Sequence, residues 1–341
     1  MTRTHPYLPG LDEPAPKTFR DGTHRLIAPA ETVARVRRFM PVMGITRIAN
    51  ITGLDCIGIP VVMVCRPNAR SLSVAQGKGL DLPAAQASGL MEAIESYHAE
   101  HITLPLKLAT YEELRYTHQV VDPAQLPRTA GGVFHPHLAL PWIAGYDLLQ
   151  DEPVWVPYEM VHLNYTVAMR RDTPTFVASS NGLASGNHLL EAISHAICEV
   201  VERDATTLWS LRDPATQAAT RIDPATVDDP ACRVVLDKYT QAGIAVGIWE
   251  ITSDLGIPAF LCRIVDATEE PLRRLCNGDG MGCHPAREVA LLRALTEAAQ
   301  SRLTWIAGSR DDRYHADYVH LRDPVVLQQR RAELTALAPG R

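Results

Sequence analysis

The sequence lacks the features that mark a membrane protein, a secreted protein or a nucleic-acid surface. No apolar run approaches the roughly 18 residues that a membrane-spanning helix needs. The N-terminal stretch MTRTHPYLPGLDEPAPKTFRDGTHR contains no apolar segment of the kind found in signal peptides. Basic residues are not in excess, because 33 Lys and Arg face 39 Asp and Glu, for a formal net charge of -6. We therefore expect a cytoplasmic protein that binds neither membranes nor nucleic acid.

Cysteine is sparse and follows no metal-binding pattern. The seven cysteines stand at positions 56, 65, 198, 232, 262, 276 and 283, and none of them forms a CxxC pair. The wide spacing argues against a zinc site, and the odd number favours reduced, buried thiols over a disulfide framework. Cys283, in the sequence GCHP, has two interpretations: a packed turn residue, or a thiol that holds sulfur as a persulfide.

The composition is that of an ordinary globular protein. With 341 residues, 46% of them hydrophobic and 21% charged, the chain is long enough for one large domain or two fused ones. Residues 1–24 are polar and rich in proline, which predicts an arm on the surface. We expect a single catalytic domain over residues 25–341, with a subdivision near residues 102–176, where prolines and aromatic turns are frequent.

Hydrophobic periodicity predicts a mixture of helices and strands, an α/β (α+β) fold. Helices are expected from Pro29, and over residues 83–101, 189–208 and 288–306, with a charged helical tail after residue 310. The stretch GITRIANITGLDCIGIPVVMVCRP reads as two strands joined by a turn, and IAVGIWEI and IPAFLCRIV as two more. Residues 210–235 read as a loop-rich section, and LPWIAGYDLL and PVWVPYEMV as aromatic turns.

One pattern occurs three times along the chain. A glycine-rich turn precedes an alanine-rich helix that carries Glu-Ala, and the three turns are QGKG, SNGLASGN and GDGMGCH. The intervals differ, so the chain is not a regular repeat array. Either an internal duplication or a recurrent way of ending a strand at a site explains the pattern.

Glutamates on these helices are spaced so that they share a face. Glu92 and Glu95 are three residues apart, whereas Glu191 and Glu202 are eleven apart and point within about 20° of each other. Glu199 stands at the edge of that second face. In the third helix, a polar row contains Arg293, Glu297 and Gln300.

Two interpretations of the glutamates remain open. Glutamates at helical spacing are most often a solvated face. Here, however, Ala93 and Ile94 separate the first pair, and Ile197, Val200 and Val201 around the second set are expected to be buried. Carboxylates next to core positions need partners or a metal ion. Mg²⁺ commonly joins one or two carboxylates to substrate phosphates.

The predicted glycine turns supply groups that attract anions. Gln76-Gly77-Lys78-Gly79 offers backbone N–H groups and a lysine near a helix start. The segment is not a Walker A motif, because Gly79 and Leu80 follow the lysine, and GDGMGCH lacks the third glycine of a dinucleotide fingerprint. Ordinary turns are the alternative interpretation of these segments. Otherwise the patterns predict a site for a metal ion and a nucleotide, but they do not indicate which reaction the protein catalyses.

Three ordered segments resemble the YcaO family. They are GKG followed by AAQASGLMEAIESY, then SNGLASGNHLLEAISHAICEVVERDA, and then GMGCHPAREVALLRALTEAAQSR. In the second segment, the spacing Asn187-x3-Glu191-x7-Glu199-x2-Glu202-Arg203 is the family pattern throughout. The likeness runs from about Thr23 to Arg302 and implies the YcaO fold, in which mixed sheets flanked by helices surround a central ATP site.

The resemblance also implies roles for individual residues. The residues that match metal–phosphate carboxylates, and so imply Mg²⁺, are Glu92, Glu95, Glu191, Glu199 and Glu202. Those that match contacts to ATP are Arg25, Thr32, Lys78, Ser180, Asn187 and Arg203, with Arg25 replacing an early family lysine. Arg293 and Arg302 are candidates for a catalytic role. Ala184 stands where some members have a serine, which puts a hydroxyl contact from that loop in doubt.

The chemistry implied by the family is activation of a backbone amide of a peptide or protein by ATP. Attack by a side chain of the substrate gives an azoline, whereas attack by external sulfide gives a thioamide. The segment GITRIANITGLDCIGIPVVMVCRPNARSLSVAQGKG resembles members encoded beside TfuA proteins, which are linked to thioamide formation. The length leaves no room for a fused partner domain, and the end ELTALAPGR lacks the Pro-alternating tail of many azoline-forming members.

We therefore expect a thioamide-forming enzyme with a TfuA-like partner protein, a sulfide donor and a homodimeric assembly. An azoline-forming cyclodehydratase with a separate partner is the alternative within the family. A nucleotide-binding scaffold without catalytic activity is the alternative of another class.

Overall fold

A computed structural model of the chain describes residues 8–166, 174–269 and 277–335. The described residues form two compact units, one within Met1–Pro14, Ala69–Ser71 and Glu95–Leu183, the other within Ala15–Asn68, Leu72–Ile94 and Ala184–Arg341. The first seven residues of the predicted arm, Cys276 and the last residues of the predicted helical tail lie outside the described residues. The arm over 1–24, the single domain over 25–341 and the subdivision near 102–176 stay predictions.

The helices and strands alternate along the chain, as predicted. The helices are α1 (Pro29–Arg37), α2 (Leu82–Glu100), α3 (Tyr111–Leu114), α4 (Leu189–Ser210), α5 (Pro214–Ala219), α6 (Pro230–Gln241), α7 (Arg287–Ala307), α8 (His315–Leu321) and α9 (Pro324–Thr335). The strands are β1 (Arg47–Asn50), β2 (Val61–Cys65), β3 (Val74–Lys78), β4 (Leu106–Ala109), β5 (Leu140–Asp147), β6 (Glu152–Pro157), β7 (Arg221–Ile222), β8 (Ile244–Glu250), β9 (Ala259–Asp266) and β10 (Asn277–Cys283).

The first unit contains an antiparallel sheet with the order β4-β5-β6. The two segments predicted as aromatic turns are strands β5 and β6, so that prediction is wrong. The prolines and aromatic residues of these segments made them look like turns. Aromatic side chains instead contribute to the core of this unit, where Trp142 packs in one buried cluster with Leu140, Leu114 and Phe176. The Trp142 indole also donates a hydrogen bond to the Ala109 carbonyl on β4, at 3.0 Å.

The second unit contains the same arrangement of elements twice. In one segment α1 is followed by the antiparallel meander β1-β2-β3 and the long helix α2, and in the other α6 is followed by β8-β9-β10 and α7. The small strand β7 extends the second sheet to four strands. The loop-rich section predicted over residues 210–235 is wrong in part, because α5, β7 and the first half of α6 lie in it. Helix α6 has an Asp229 N-cap, a proline at its start and a buried face with Val235, Leu236 and Tyr239.

Two of the three predicted glycine turns are strands. QGKG lies mostly in β3 and GDGMGC lies in β10, whereas SNGLASGN is a loop before α4. The turn predictions for QGKG and GDGMGCH are therefore wrong, and the glycines have another reason. A Cβ on Gly280 would approach the Ala294 carbonyl and the Ala298 nitrogen to 2.3 Å, and one on Gly77 would meet the Ala85 carbonyl at 2.1 Å. Backbone packs on backbone here, which only glycine permits.

The fold class is confirmed as a mixture of helices and small sheets, and the named strands pair antiparallel throughout. No helix within the described ranges is both long and apolar enough to cross a bilayer.

The glycine contacts generate a prediction about stability. Gly280→Ala should destabilise the chain by about 1–3 kcal/mol, because the added methyl group would overlap the backbone of α7. Gly53→Ala is the matched control, since a Cβ there meets nothing within 4 Å. Urea denaturation followed by circular dichroism measures both variants. Equal midpoints for the two variants would contradict the close packing of α7 on β10.

Candidate functional site

The centre of the site is an ion pair between a strand end and a helix of the second unit. Lys78, the last residue of β3, places its Nζ 2.7 Å from Oε2 of Glu297 on α7. The other oxygen of Glu297 accepts a hydrogen bond from the Met281 backbone N–H on β10, at 3.3 Å. Both side chains are about four-fifths buried. The glycine contacts described above fix the backbones of β3 and β10 against their helices and so hold this pair in place.

Glu92 of α2 faces the same ion pair. Burial raises the pKa of its carboxyl group from 4.5 to about 7, and the negative charge of Glu297 adds to the rise. Lys78, a backbone N–H at Gln76 and Arg310 act in the opposite direction but do not offset the burial. The positive charge around this carboxyl group is therefore too small to keep its pKa at the usual value.

Glu202 of α4 is a third carboxyl group in this region. Its side chain is buried, and burial together with the charge of Glu297 raises its pKa. Arg293, Arg203 and Lys78 lower it. Arg203 lies 3.5 Å from Glu202 and 3.5 Å from Glu199 and so bridges these two glutamates on the surface of α4.

The buried stripe of α4 is polar. Glu191, His195, Cys198 and Glu202 follow at intervals of four, three and four residues and therefore share one side of the helix. Burial, with the cations Arg293 and Arg25 nearby, lowers the pKa of His195 to about 2, so this imidazole is neutral. The expectation that Ile197 and Val200 are buried is wrong. Each is half exposed, because the helix turns its polar stripe inward; Val201 is buried as expected.

A second group of predicted residues surrounds the start of α4. Glu191 accepts backbone hydrogen bonds from Asn187, at 2.7 Å, and from Leu26, at 3.1 Å. The side-chain amide of Asn187 donates to the Thr32 hydroxyl of α1, at 3.0 Å. Arg25 lies 4.0 Å from Glu191. Since both oxygens of Glu191 already accept backbone N–H groups, this glutamate orients the loop before α4 and the chain before α1.

A small cavity lies beside the buried stripe of α4. The cations around it are Lys17, Arg25 and Arg293, and two cysteines, Cys198 and Cys283, also line it. The interaction with the Cys283 thiol is the main cause that lowers the pKa of Cys198 to about 7, and the same interaction raises the pKa of Cys283. Cys283 is the last residue of β10 and is fully buried, so it is not a turn residue.

Three predicted residues are not among the contacts described above. The boundary between the two units falls within α2, between Ile94 and Glu95. Glu95 and Ser180 belong to the first unit, and their assignments stay predictions. Arg302 on α7 is almost fully buried, with Nη1 2.9 Å from Asp266 and Nε 3.5 Å from Asp55. A guanidinium held by two buried carboxylates supports a role in the core, which weakens the case for Arg302 as a catalytic residue.

Glu297 is the residue that sequence reasoning left out of the predicted metal ligands. The signal was present, because Arg293, Glu297 and Gln300 form a polar row on a helix whose neighbours are mostly buried. Only the packing of α7 against β3 shows that Glu297 faces Lys78.

Comparisons with known proteins relate the chain to one family. Residues 76–341 match the family model described as YcaO cyclodehydratase, ATP- and Mg²⁺-binding. The chain is 41% identical over 311 residues to an uncharacterised protein from the region 3′ of tfuA in Rhizobium leguminosarum bv. trifolii, which covers 89% of this chain and 73% of that protein. It is 37% identical to an uncharacterised protein of Mycobacterium tuberculosis, over 91% of this chain and 68% of that one.

Solved structures share the fold. A heterocyclase in complex with substrate and cofactor superposes with a TM-score of 0.73 at 24% identity, over 96% of this chain. The chain spans 47% of the length of that heterocyclase. YcaO from Methanopyrus kandleri, bound with AMPPCP and Mg²⁺, superposes with a TM-score of 0.65 at 21% identity, over 86% of this chain and 72% of that one.

The residues present fit Mg²⁺ and ATP. Among the described residues, no group of three or more His, Cys, Asp or Glu side chains is arranged as a ready metal cage. Mg²⁺ does not require one, because it usually takes one or two carboxylates and completes its shell with phosphate and water. Glu92 and Glu202 have raised pKa values that a cation would reverse, and the Arg293 Nε is buried with no hydrogen-bond partner in the described parts.

The pKa of Glu92 generates a prediction about pH. In the folded chain Glu92 keeps its proton up to about pH 7, whereas in the unfolded chain it loses the proton near 4.5. The free energy of unfolding should therefore fall as the pH rises through this window, by about 3 kcal/mol without Mg·ATP. Glu92→Gln should remove this loss, so that the variant equals the parent chain at pH 4 and exceeds it at pH 8.

Urea denaturation of both chains at several pH values measures the effect. The matched control is Glu288→Gln, at an exposed glutamate of α7. If Glu92→Gln and the parent chain kept the same difference at every pH, the raised pKa would be wrong.

Proposed function

The chain belongs to the YcaO family, and on that premise we propose that it forms thioamides. ATP and Mg²⁺ are the cofactors of the family. In the proposed reaction, the oxygen of a backbone amide in a peptide or protein accepts the γ-phosphoryl group of ATP. Sulfide attacks the amide carbon, and the oxygen leaves with phosphate. ATP would supply the leaving group and Mg²⁺ would neutralise charge on the transferred phosphoryl group.

The carboxylates and cations of the second unit support this assignment. We propose that Glu92, Glu202 and Glu297 hold Mg²⁺ on the phosphates, together with Glu191 and Glu199. Glu297 is added to the set predicted from the sequence. Lys78 would exchange its contact with Glu297 for one with phosphate, since a compact ammonium group is a common phosphate ligand. Arg203 and Arg293 carry the remaining positive charge beside Glu202.

Three other predicted residues hold a loop of the site in position. Thr32, Asn187 and Glu191 are linked by hydrogen bonds, which hold the loop before α4 against α1. We propose that this loop contacts the nucleotide and that Arg25 adds positive charge there. Glu95 and Ser180 remain proposed contacts of the metal and of ATP, respectively.

One observation favours sulfide as the nucleophile. The relative from Rhizobium leguminosarum bv. trifolii is a protein of the tfuA 3′ region. A gene beside tfuA supports a TfuA-like protein as the partner of this chain, in agreement with the segment that resembles TfuA-associated members. The sulfide donor and the homodimer remain part of the proposal.

Azoline formation is the second candidate. The family model is described as a cyclodehydratase, and one structural relative is a heterocyclase with its substrate. The two reactions share amide activation and differ in whether the nucleophile is a side chain of the substrate or external sulfide. The same metal–phosphate site serves both.

The mass of the product distinguishes these reactions. A substrate peptide is incubated with the chain, the TfuA-like partner, Mg·ATP and sulfide. We expect the gain that corresponds to replacement of oxygen by sulfur, with consumption of ATP. Omitting sulfide is the control and should leave the peptide unchanged. Loss of one water without sulfide would show the azoline reaction instead, and absence of any ATP consumption would favour a scaffold.

A further inference from the structure

The cavity beside α4 is lined by reactive side chains to which the proposed amide activation gives no role. Two thiols, Cys198 of α4 and Cys283 at the end of β10, line it. Both are buried and belong to the same core cluster. By contrast, Cys232 and Cys262 belong to a different cluster and do not line this cavity. Two thiols that line the same small cavity can together supply two electrons to a bound sulfur atom, which a single thiol cannot do.

The surroundings of the pair suit a small anion. Lys17, Arg25 and Arg293 line the cavity, and the Arg293 Nε is buried with no hydrogen-bond partner in the described parts of the chain. The free space is about that of one water molecule. A cavity of this size has room for the terminal sulfur atom of a persulfide donor.

The location connects the thiols to the proposed site. Cys198 and Glu202 are four residues apart on the buried stripe of α4. Arg293 contacts His195 of the same stripe at 3.5 Å and also acts on the charges of Glu202 and Glu297. Sulfide released at Cys198 would therefore appear one helical turn from a carboxylate of the metal–phosphate site.

We propose that Cys198 and Cys283 form a sulfur-loading site, which takes sulfane sulfur from a small persulfide and releases it as hydrosulfide beside the activated amide. The proposal rests on thioamide formation as the function and assigns its sulfur source. A persulfide donor transfers its terminal sulfur to Cys198, giving Cys198–S–SH and the donor thiol. Cys283 then attacks Sγ of Cys198, the bond to the terminal sulfur breaks, and hydrosulfide leaves with the proton.

The electrons balance in this scheme. The sulfane sulfur gains two electrons and becomes sulfide, and the two thiols lose two electrons and become the Cys198–Cys283 disulfide. A small dithiol reductant then restores both thiols. The cations of the cavity stabilise the anionic sulfur species at each step.

The direct test uses the reduced full-length chain and glutathione persulfide, without peptide or ATP. The parent chain should release about one hydrosulfide per molecule and then stop, because one pair of thiols supplies two electrons. Peptide mapping should show the Cys198–Cys283 disulfide, and a dithiol should restart the release. This arm requires no substitution, so it does not depend on the folding of a variant.

Variants locate the sulfur. In Cys283→Ser, the mass of one added sulfur atom should accumulate on Cys198, whereas Cys198→Ser should neither bind sulfur nor release hydrosulfide. The matched control is Cys56→Ser, because Cys56 is the exposed cysteine among those that the structure describes and would react first of these if access alone decided. Unchanged release by Cys198→Ser, or a parent chain without the Cys198–Cys283 disulfide, would overturn the proposal.

A second arm separates this inference from the proposed function. With persulfide as the sole sulfur source, Cys198→Ser should lose most of its thioamide product, and free sulfide should restore it. Equal product from persulfide with and without Cys198 overturns the loading site but leaves thioamide formation in place. If the chain makes no thioamide even with free sulfide, the proposed function fails, while the persulfide assay still reports on the pair of thiols.

Discussion

The contact between Lys78 and Glu297 is the interaction on which the site depends. Its two partners come from the two repeated segments of the second unit, since Lys78 ends β3 and Glu297 lies on α7. Glu92 and Glu202 both lie within the field of this pair, and burial leaves each of them with a raised pKa. Lys78 lowers the pKa of all three carboxyl groups, but with the arginines nearby it does not offset the burial of Glu92 and Glu202, so protons or a divalent cation would supply the missing charge.

The fold provides the precision that this arrangement needs. Both meanders end in a glycine-containing strand that packs backbone to backbone on the following long helix. The contacts at Gly77 and Gly280 leave no space for a side chain, so strand and helix cannot shift against each other without a clash. Lys78 and Met281, each one residue beyond such a glycine, are fixed in this way. Glu202 and Cys198 both lie on the buried stripe of α4. This helix therefore connects the proposed metal–phosphate site to the proposed sulfur site.

Sequence reasoning located the long helices and singled out several of the polar residues that the structure brings together. The long helices begin and end within two residues of their predicted limits, and Glu92 and Glu202 were found because their spacing places them beside core positions. The errors have physical causes. Glycine reads as a turn residue unless the approaching helix is known, so β3 and β10 were missed as strands. Ile197 and Val200 read as core residues, because apolar character alone does not show which side of α4 faces inward.

The central claim is that Glu202 and Glu297 bind Mg·ATP, and calorimetric titration with Mg²⁺ and a non-hydrolysable ATP analogue tests it most directly. Removing either carboxylate charge, in Glu202→Gln or Glu297→Gln, should weaken binding by at least about tenfold, or about 1.4 kcal/mol. Asp204→Asn, at an exposed carboxylate two residues along α4, should bind like the parent chain. If Glu202→Gln and Glu297→Gln bound the analogue as tightly as Asp204→Asn, the metal–phosphate site would not be where these glutamates meet Lys78.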